Sequence, residues 1–275
     1  MSSFAWEVAL HWAAVACYIA GSALLAHAVF FDHPARARYG LWAALAGLAL
    51  HGTAIGVRWT ASGHGPYMLR HEILSSDAWI AVAVMIVALW NRPRRASVGM
   101  VVLPAAVLLV GLGLMASPGM KDLPPSLRSM WLVFHVLFAK LAAGAFLLSV
   151  GSAAMLLIRL RQAPARLAAR LPPEDMLDAL TVRFIGFGFF FWTVNVGAGA
   201  IWANQSWGRY WGWDPVETWS LITWLLYGTF LHARLFFRLR GRGVAWAAIA
   251  CFALAIGVVL LLPFFSGSLH ASYFQ

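Results

Sequence analysis

The chain has 275 residues, of which 62% are apolar and only 11% charged, with a net charge of +10. That composition excludes a soluble globule, whose apolar share is about half, and repeated apolar runs of about 20 residues are those of helices that cross a bilayer. The basic excess is compatible with nucleic acid or an anionic surface, but its distribution along the chain gives it a different use and no nucleic-acid partner is expected.

Eight spans are expected in chain order, at 6–31, 39–60, 76–91, 98–116, 130–158, 184–203, 218–237 and 244–264. They make an all-α, polytopic membrane helical bundle, read as a single domain over 1–275 with one sizeable loop at 159–183. The start, MSSFAWEVALHW, lacks the basic residues and small-residue cleavage site of a signal peptide, so the first span is expected to be retained. Most of the arginines cluster after alternate spans: Arg36 and Arg38; Arg92, Arg94 and Arg95; Arg159, Arg161, Arg166, Arg170 and Arg183; Arg234, Arg238, Arg240 and Arg242. Positive loops face the cytoplasm, which puts both termini and the loops at 61–75, 117–129 and 204–217 on the outer side. Cys17 and Cys251 lie inside spans without a C-x-x-C partner and read as small core residues, which excludes a thiol-disulfide role for this chain.

With depth assigned, the histidines separate. His11, His33, His64 and His71 read as surface groups. Lys140, inside the fifth span, fits snorkelling, a contact to a bound carboxylate, or a polar contact between helices. His135 opens the fifth span at its outer end and His270 follows the eighth on the same side. Between them in sequence lies WANQSWGRYWGWDPVETWSLITW, which concentrates Trp202, Trp207, Trp211, Trp213, Trp219 and Trp224 within 23 residues. An interfacial belt spreads its rings over many helix ends, so this concentration fits a flat apolar ligand. Two imidazoles beside an aromatic platform suit a haem, with Arg209, Asn204 and Gln205 near enough in sequence to meet its propionates. Asp214-Pro215-Val216-Glu217 has the order of a helix start, with Asp as cap, Pro at the first position and Glu at the third, reaching back.

The run WGRYWGWDPVETWSLITW resembles the tryptophan-rich signature (the WWD motif) of the haem-handling proteins of cytochrome c biogenesis, most closely the CcsA (ResC) type. The likeness extends to His135 in WLVFHVLFAK, His232 in YGTFLHARL, His270 in GSLHASYF, and to SGHGPYMLRHE, which keeps Ser62, Gly63, His64, Pro66 and Glu72 of a family segment. The tail SLHASYFQ departs from the family's glycine-rich ending. The resemblance implies that His135 and His270 ligate haem b over the platform of Trp202, Trp207, Trp211 and Trp213, and that His232 ligates haem arriving from inside. The second ligand of that inner site is His27 by depth, with His51 deeper in the second span, or comes from a CcsB (ResB)-type partner subunit. It implies a subunit of a cytochrome c synthase (haem lyase) in the plasma (inner) or a thylakoid-type membrane, working with apocytochrome c and a thioredoxin-like thiol reductant. There, two cysteine thiols add across the haem vinyl groups, and position contributes more than acid-base chemistry. Two other classes stay open: a haem exporter or carrier that delivers haem to a chaperone, and a di-haem respiratory anchor, which needs histidines paired at two depths and no tryptophan loop.

Overall fold

In hydrocarbon every backbone N–H and C=O must be satisfied within the chain, which long apolar segments achieve by coiling into helices. The computed structural model of the protein describes residues 3–116, 119, 122–161 and 165–257, and shows helices and loops with no strand among them. Two hairpins come first: α1 (Ser3–Phe30) with α2 (Pro34–Ser62), then α3 (Arg70–Leu89) with α4 (Gly99–Met115), the latter pair joined through a 3₁₀ turn at Pro93–Val98. After α5 (Met130–Leu160) come the short α6 (Ala165–Arg170), α7 (Glu174–Trp207), α8 (Pro215–Phe236) and α9 (Arg242–Ile256).

Each of the eight expected spans falls on a helix, and the protein is a polytopic membrane bundle. α1 to α5 and α7 are long and apolar enough to cross a membrane. Tryptophan, tyrosine and threonine lower the mean hydropathy of α8, and α9 is described only as far as Ile256. The expected loop at 159–183 is largely helical instead. Two prolines followed by Glu174 and Asp175 start α7 ten residues early, since acids in a first turn complement the helix dipole. α3 likewise begins at Arg70 rather than 76, because the Glu72 carboxylate accepts from the N–H groups of Met68 and Leu69 and caps the helix there.

α5 is the most enclosed of the spanning helices. One apolar core joins α1 to α4 against it, and a second joins it to α7, α8 and α9. Glycines let α7 approach: a Cβ at Gly188 would overlap the Phe146 ring, which itself stacks on Tyr227 of α8 at 3.7 Å. Lys140 is buried against α3, where its ammonium meets the Asp77 carboxylate and the Ile73 carbonyl. Of the three readings for Lys140, the structure selects the contact between helices.

The loops segregate into two ends. At the arginine end, Arg170 meets the carbonyl of Phe30, Arg159 that of Leu171, and Asp178 the backbone of Gly241. At the tryptophan end, Arg58 reaches the carbonyl of Gly119, and Ser126 and Ser129 fasten the approach to α5 onto the end of α7.

Candidate functional site

The tryptophan segment is less of a loop than its sequence suggests. α7 runs to Trp207, so Trp202, Asn204 and Trp207 occupy its last turns, and only residues 208–214 are irregular. Gly208 ends α7 in the left-handed conformation (φ 72°), with its N–H on the Asn204 carbonyl. Trp213 also has a positive φ of 57°, costly for a bulky side chain, and the residue is 69% exposed. Asp214 then caps α8 as its sequence foretells: Oδ1 accepts from Val216 N–H, while Glu217 Oε2 accepts from Asp214 and Gly212 N–H. Asp214→Ala is expected to lower stability by about 0.5–2 kcal/mol through loss of this cap. A shift in the unfolding midpoint in detergent reads that out, and an unchanged midpoint would show the loop to be held by other contacts.

The tryptophans divide by task. Trp202 is buried among Met68, Leu127 and Leu132, donates its indole N–H to the Ser126 carbonyl, and meets Trp207 edge-on at 4.9 Å. Trp224 donates to the Thr193 hydroxyl and stacks on Phe189. Both fasten helices together. Trp211, in the irregular stretch, lines an open cleft and holds Trp213 edge-on at 5.9 Å. The Arg209 guanidinium lies where a Cβ on Gly212 would be, which braces the loop, and Gln205 accepts from the Ser129 hydroxyl.

His135 stands at the wall of that cleft. Its ring lies nearly parallel to Trp202, with centroids 6.1 Å apart and planes at 19°. Its Nδ1 is 2.9 Å from the backbone carbonyl of Asn195 on α7. A carbonyl only accepts, so Nδ1 carries the proton and the imidazole lone pair is on Nε2, the arrangement that orients a metal-binding histidine. Asn195, Gly199 and Trp202 share one face of α7, spaced by four and three residues. Gly199 is required by this fit, since a Cβ there would come within 2.6 Å of His135 Nδ1. The cleft between α5, α7, the loop and α8 is open and has a cavity volume of about 40 Å³, lined by His135, Asn195, Gly199, Trp202, Trp211 and Glu217 among others. Asn195 and Gly199 escaped the sequence reading; their signal is a buried amide and a glycine one turn apart in NVGAGA, ahead of the tryptophans.

His270 lies outside the described residues. His232 is exposed near the arginine end of α8, with Phe236 at 4.2 Å and Phe237 at 6.2 Å between ring centroids. His27 neighbours His33 and Phe31 and accepts from Arg36. Among the described ring contacts the two histidines are not brought together. His51 is fully buried and engaged at both nitrogens, by the Tyr18 hydroxyl and by Ser75.

The surface assignment of His11, His64 and His71 is wrong: they are 1%, 6% and 3% exposed. Because α3 starts early, His71 and Glu72 turn inward onto α1 and α2. Arg58 pairs with Glu72 at 2.8 Å and with Glu7 at 3.4 Å, and His71 Nε2 meets Glu7 at 2.8 Å while its Nδ1 faces the Gly113 carbonyl. Acceptors at both ends of the His71 ring require a proton on the line between Nε2 and Glu7. Glu7 with His71, and Glu72 with Arg58, are then two neutral pairs. Glu7, His11 and His71 have the spacing of a metal-ligand set. The guanidinium of Arg58 beside Glu7 opposes a second cation there.

Comparison with known proteins fits this architecture. The sequence pattern of the cytochrome C assembly protein family matches residues 70–271, three quarters of the chain and all of the cleft. The chain belongs to the cytochrome c assembly family. A cytochrome c biogenesis protein CcsA from Parasynechococcus marenigrum is 33% identical, with 86% of each chain covered. Its counterpart in Lobularia maritima is 30% identical over 74% of this chain and 75% of the relative. Among solved structures, the cytochrome c haem lyase CcmF matches the whole chain with a TM-score of 0.68 at 20% identity, a likeness of fold. This chain spans 49% of that lyase's length.

Proposed function

We propose that this membrane protein of cytochrome c biogenesis holds haem, as substrate, over the mouth of the cleft at the tryptophan end and supports its covalent attachment to apocytochrome c. The observation that carries the reading is His135: half-buried, fixed by the Asn195 carbonyl in the tautomer that presents Nε2, and stacked on a buried tryptophan beside a cleft. Donor and surroundings fit haem, which takes an imidazole nitrogen on iron and flat apolar surface beside the ring. Trp211 and Trp202 supply that surface from the cleft wall, with Trp207 packed edge-on against Trp202, and Arg209 and Asn204 take the propionates in this reading. His270 is the second axial ligand in this reading, and the incoming histidine of the apocytochrome displaces one of the two when attachment is complete.

His232, among exposed aromatic rings at the other end of α8, is the ligand for haem loading. With His51 engaged, its companion is His27 after a rearrangement or a CcsB (ResB)-type partner subunit. The arginine end faces the cytoplasm by charge, which sets the tryptophan end and both termini on the outer side of a plasma or thylakoid-type membrane. A thioredoxin-like reductant keeps the apocytochrome thiols reduced, since thiolates are the nucleophiles. The relatives named CcsA and the fold shared with a haem lyase support attachment over carriage alone. A di-haem electron-transfer anchor is disfavoured because His11 and His51 direct their rings at Ser75 rather than at a common axis.

The test replaces the ligand. His135→Gly is expected to lose most attachment and to regain part of it with added imidazole, which fills the vacated coordination position. Normal haem content and attachment in that variant would remove His135 from the site and with it the basis of this reading.

A further inference from the structure

The two carboxylate oxygens of Glu217 have different surroundings. Oε2 is consumed by the cap, taking the N–H groups of Gly212 and Asp214. Oε1 is buried, makes no hydrogen bond, and belongs to a side chain that lines the cleft beside His135. A second acceptor of the same kind lines the same space: Oδ1 of Asn195, on a residue only 3% exposed, is also buried and unbonded. Buried acceptors lacking donors are unfavourable, so a cleft that holds two is built for a ligand that brings donors. Haem does not fit that need, because its vinyl edge has only C–H groups and its propionates are acceptors. The apocytochrome segment does, with thiol S–H and peptide N–H groups.

We propose that Glu217 is a catalytic residue of haem attachment, its Oε1 taking the proton from the attacking cysteine thiol while Asn195 Oδ1 accepts from the same peptide. The inference rests on the attachment reading above. In the step, the S–H bond breaks and its proton passes to Glu217. The sulfur electron pair forms the C–S bond to the inner vinyl carbon, and the terminal vinyl carbon takes the proton back from Glu217. Hydrogen and sulfur have then added across one C=C bond, the carboxylate is restored, and no oxidant or reductant is consumed. The negative charge of Glu217 also keeps propionates out of this part of the cleft, leaving the vinyl edge to face it. The other titratable and charged groups here are Asp214 in the cap, Arg209 and Tyr210 in the loop and His135 from α5. Among the described residues the charged side chains of α7 and α9 lie toward their arginine ends.

The test uses the full chain with its partner subunit, haem and an apocytochrome, comparing wild type with Glu217→Gln. Glutamine retains an oxygen to accept the cap N–H groups but is not a base. Haem content, read from the absorption spectrum, is expected to be unchanged, while attachment at pH 7 falls roughly 30-fold, because only about 3% of a thiol with a pKa of about 8.5 is ionised there. The variant's rate should then climb about tenfold per pH unit and approach wild type near the thiol's own pKa of about 8.5, where it ionises unaided. A rate and pH profile equal to wild type, or a deficit constant with pH, overturns the proposal. If wild type attaches no haem, the underlying reading falls instead. Should Glu217→Gln fail to accumulate, the wild-type profile decides: a near-flat rate from pH 7 to 8.5 supports carboxylate proton transfer, and a tenfold fall per unit below 8.5 overturns it.

Discussion

Replacing Arg58 by methionine is expected to lower stability by about 3–5 kcal/mol, the cost of leaving buried charge uncompensated. Arg58 is 4% exposed and is the cation between Glu7 and Glu72, which are 2% and 1% exposed. Methionine retains much of the apolar stem, so packing loss is small and charge dominates. Unfolding in detergent measures the effect. Adding Glu72→Gln to the Arg58→Met background is expected to recover part of the loss, because the remaining carboxylate of Glu7 still has His71. A single variant that melts with wild type would show that water reaches these carboxylates and that the pairing contributes little.

Gly199→Ala is expected to act on chemistry more than on stability. The added Cβ would lie 2.6 Å from His135 Nδ1, so the ring must swing off the Asn195 carbonyl and lose both its tautomer and its aim. A displacement near 1 Å of a positioned group costs on the order of 100-fold in rate. Attachment is expected to fall by about that factor, with reduced haem per folded protein and little change in the melting midpoint. Full haem content and attachment would mean that His135 is not held against α7 during the reaction.

The spans were legible because a bilayer imposes one requirement that sequence states openly, about 20 apolar residues per crossing with basic loops on one side. The cap of α8 was legible because all its parts, Asp214, Pro215 and Glu217, lie within one turn. His71 was not. Whether a histidine in a polar stretch turns to water or inward depends on a partner 64 residues away, Glu7, and nothing local to either announces the pairing. The same holds for Asn195, whose carbonyl fixes a ring 60 residues distant. Trp207 was misplaced in a loop for a subtler reason: Gly208, not the polar ANQS before it, ends the helix. The double use of Glu217, one oxygen for the cap and one for the cleft, is a matter of side-chain direction that spacing cannot express.

The two neutral pairs at the tryptophan end also bear on how the chain enters its membrane. Glu7 belongs to the first helix, Arg58 to the second, and His71 and Glu72 to the third, and no one of these helices contains its own compensation. A helix released alone into lipid would carry an ionised group with no partner, whereas with the three side by side Glu7, Arg58, His71 and Glu72 are all paired. The compensation of these charges is therefore a property of α1, α2 and α3 taken together, and that of Asp77 a property of α3 with α5.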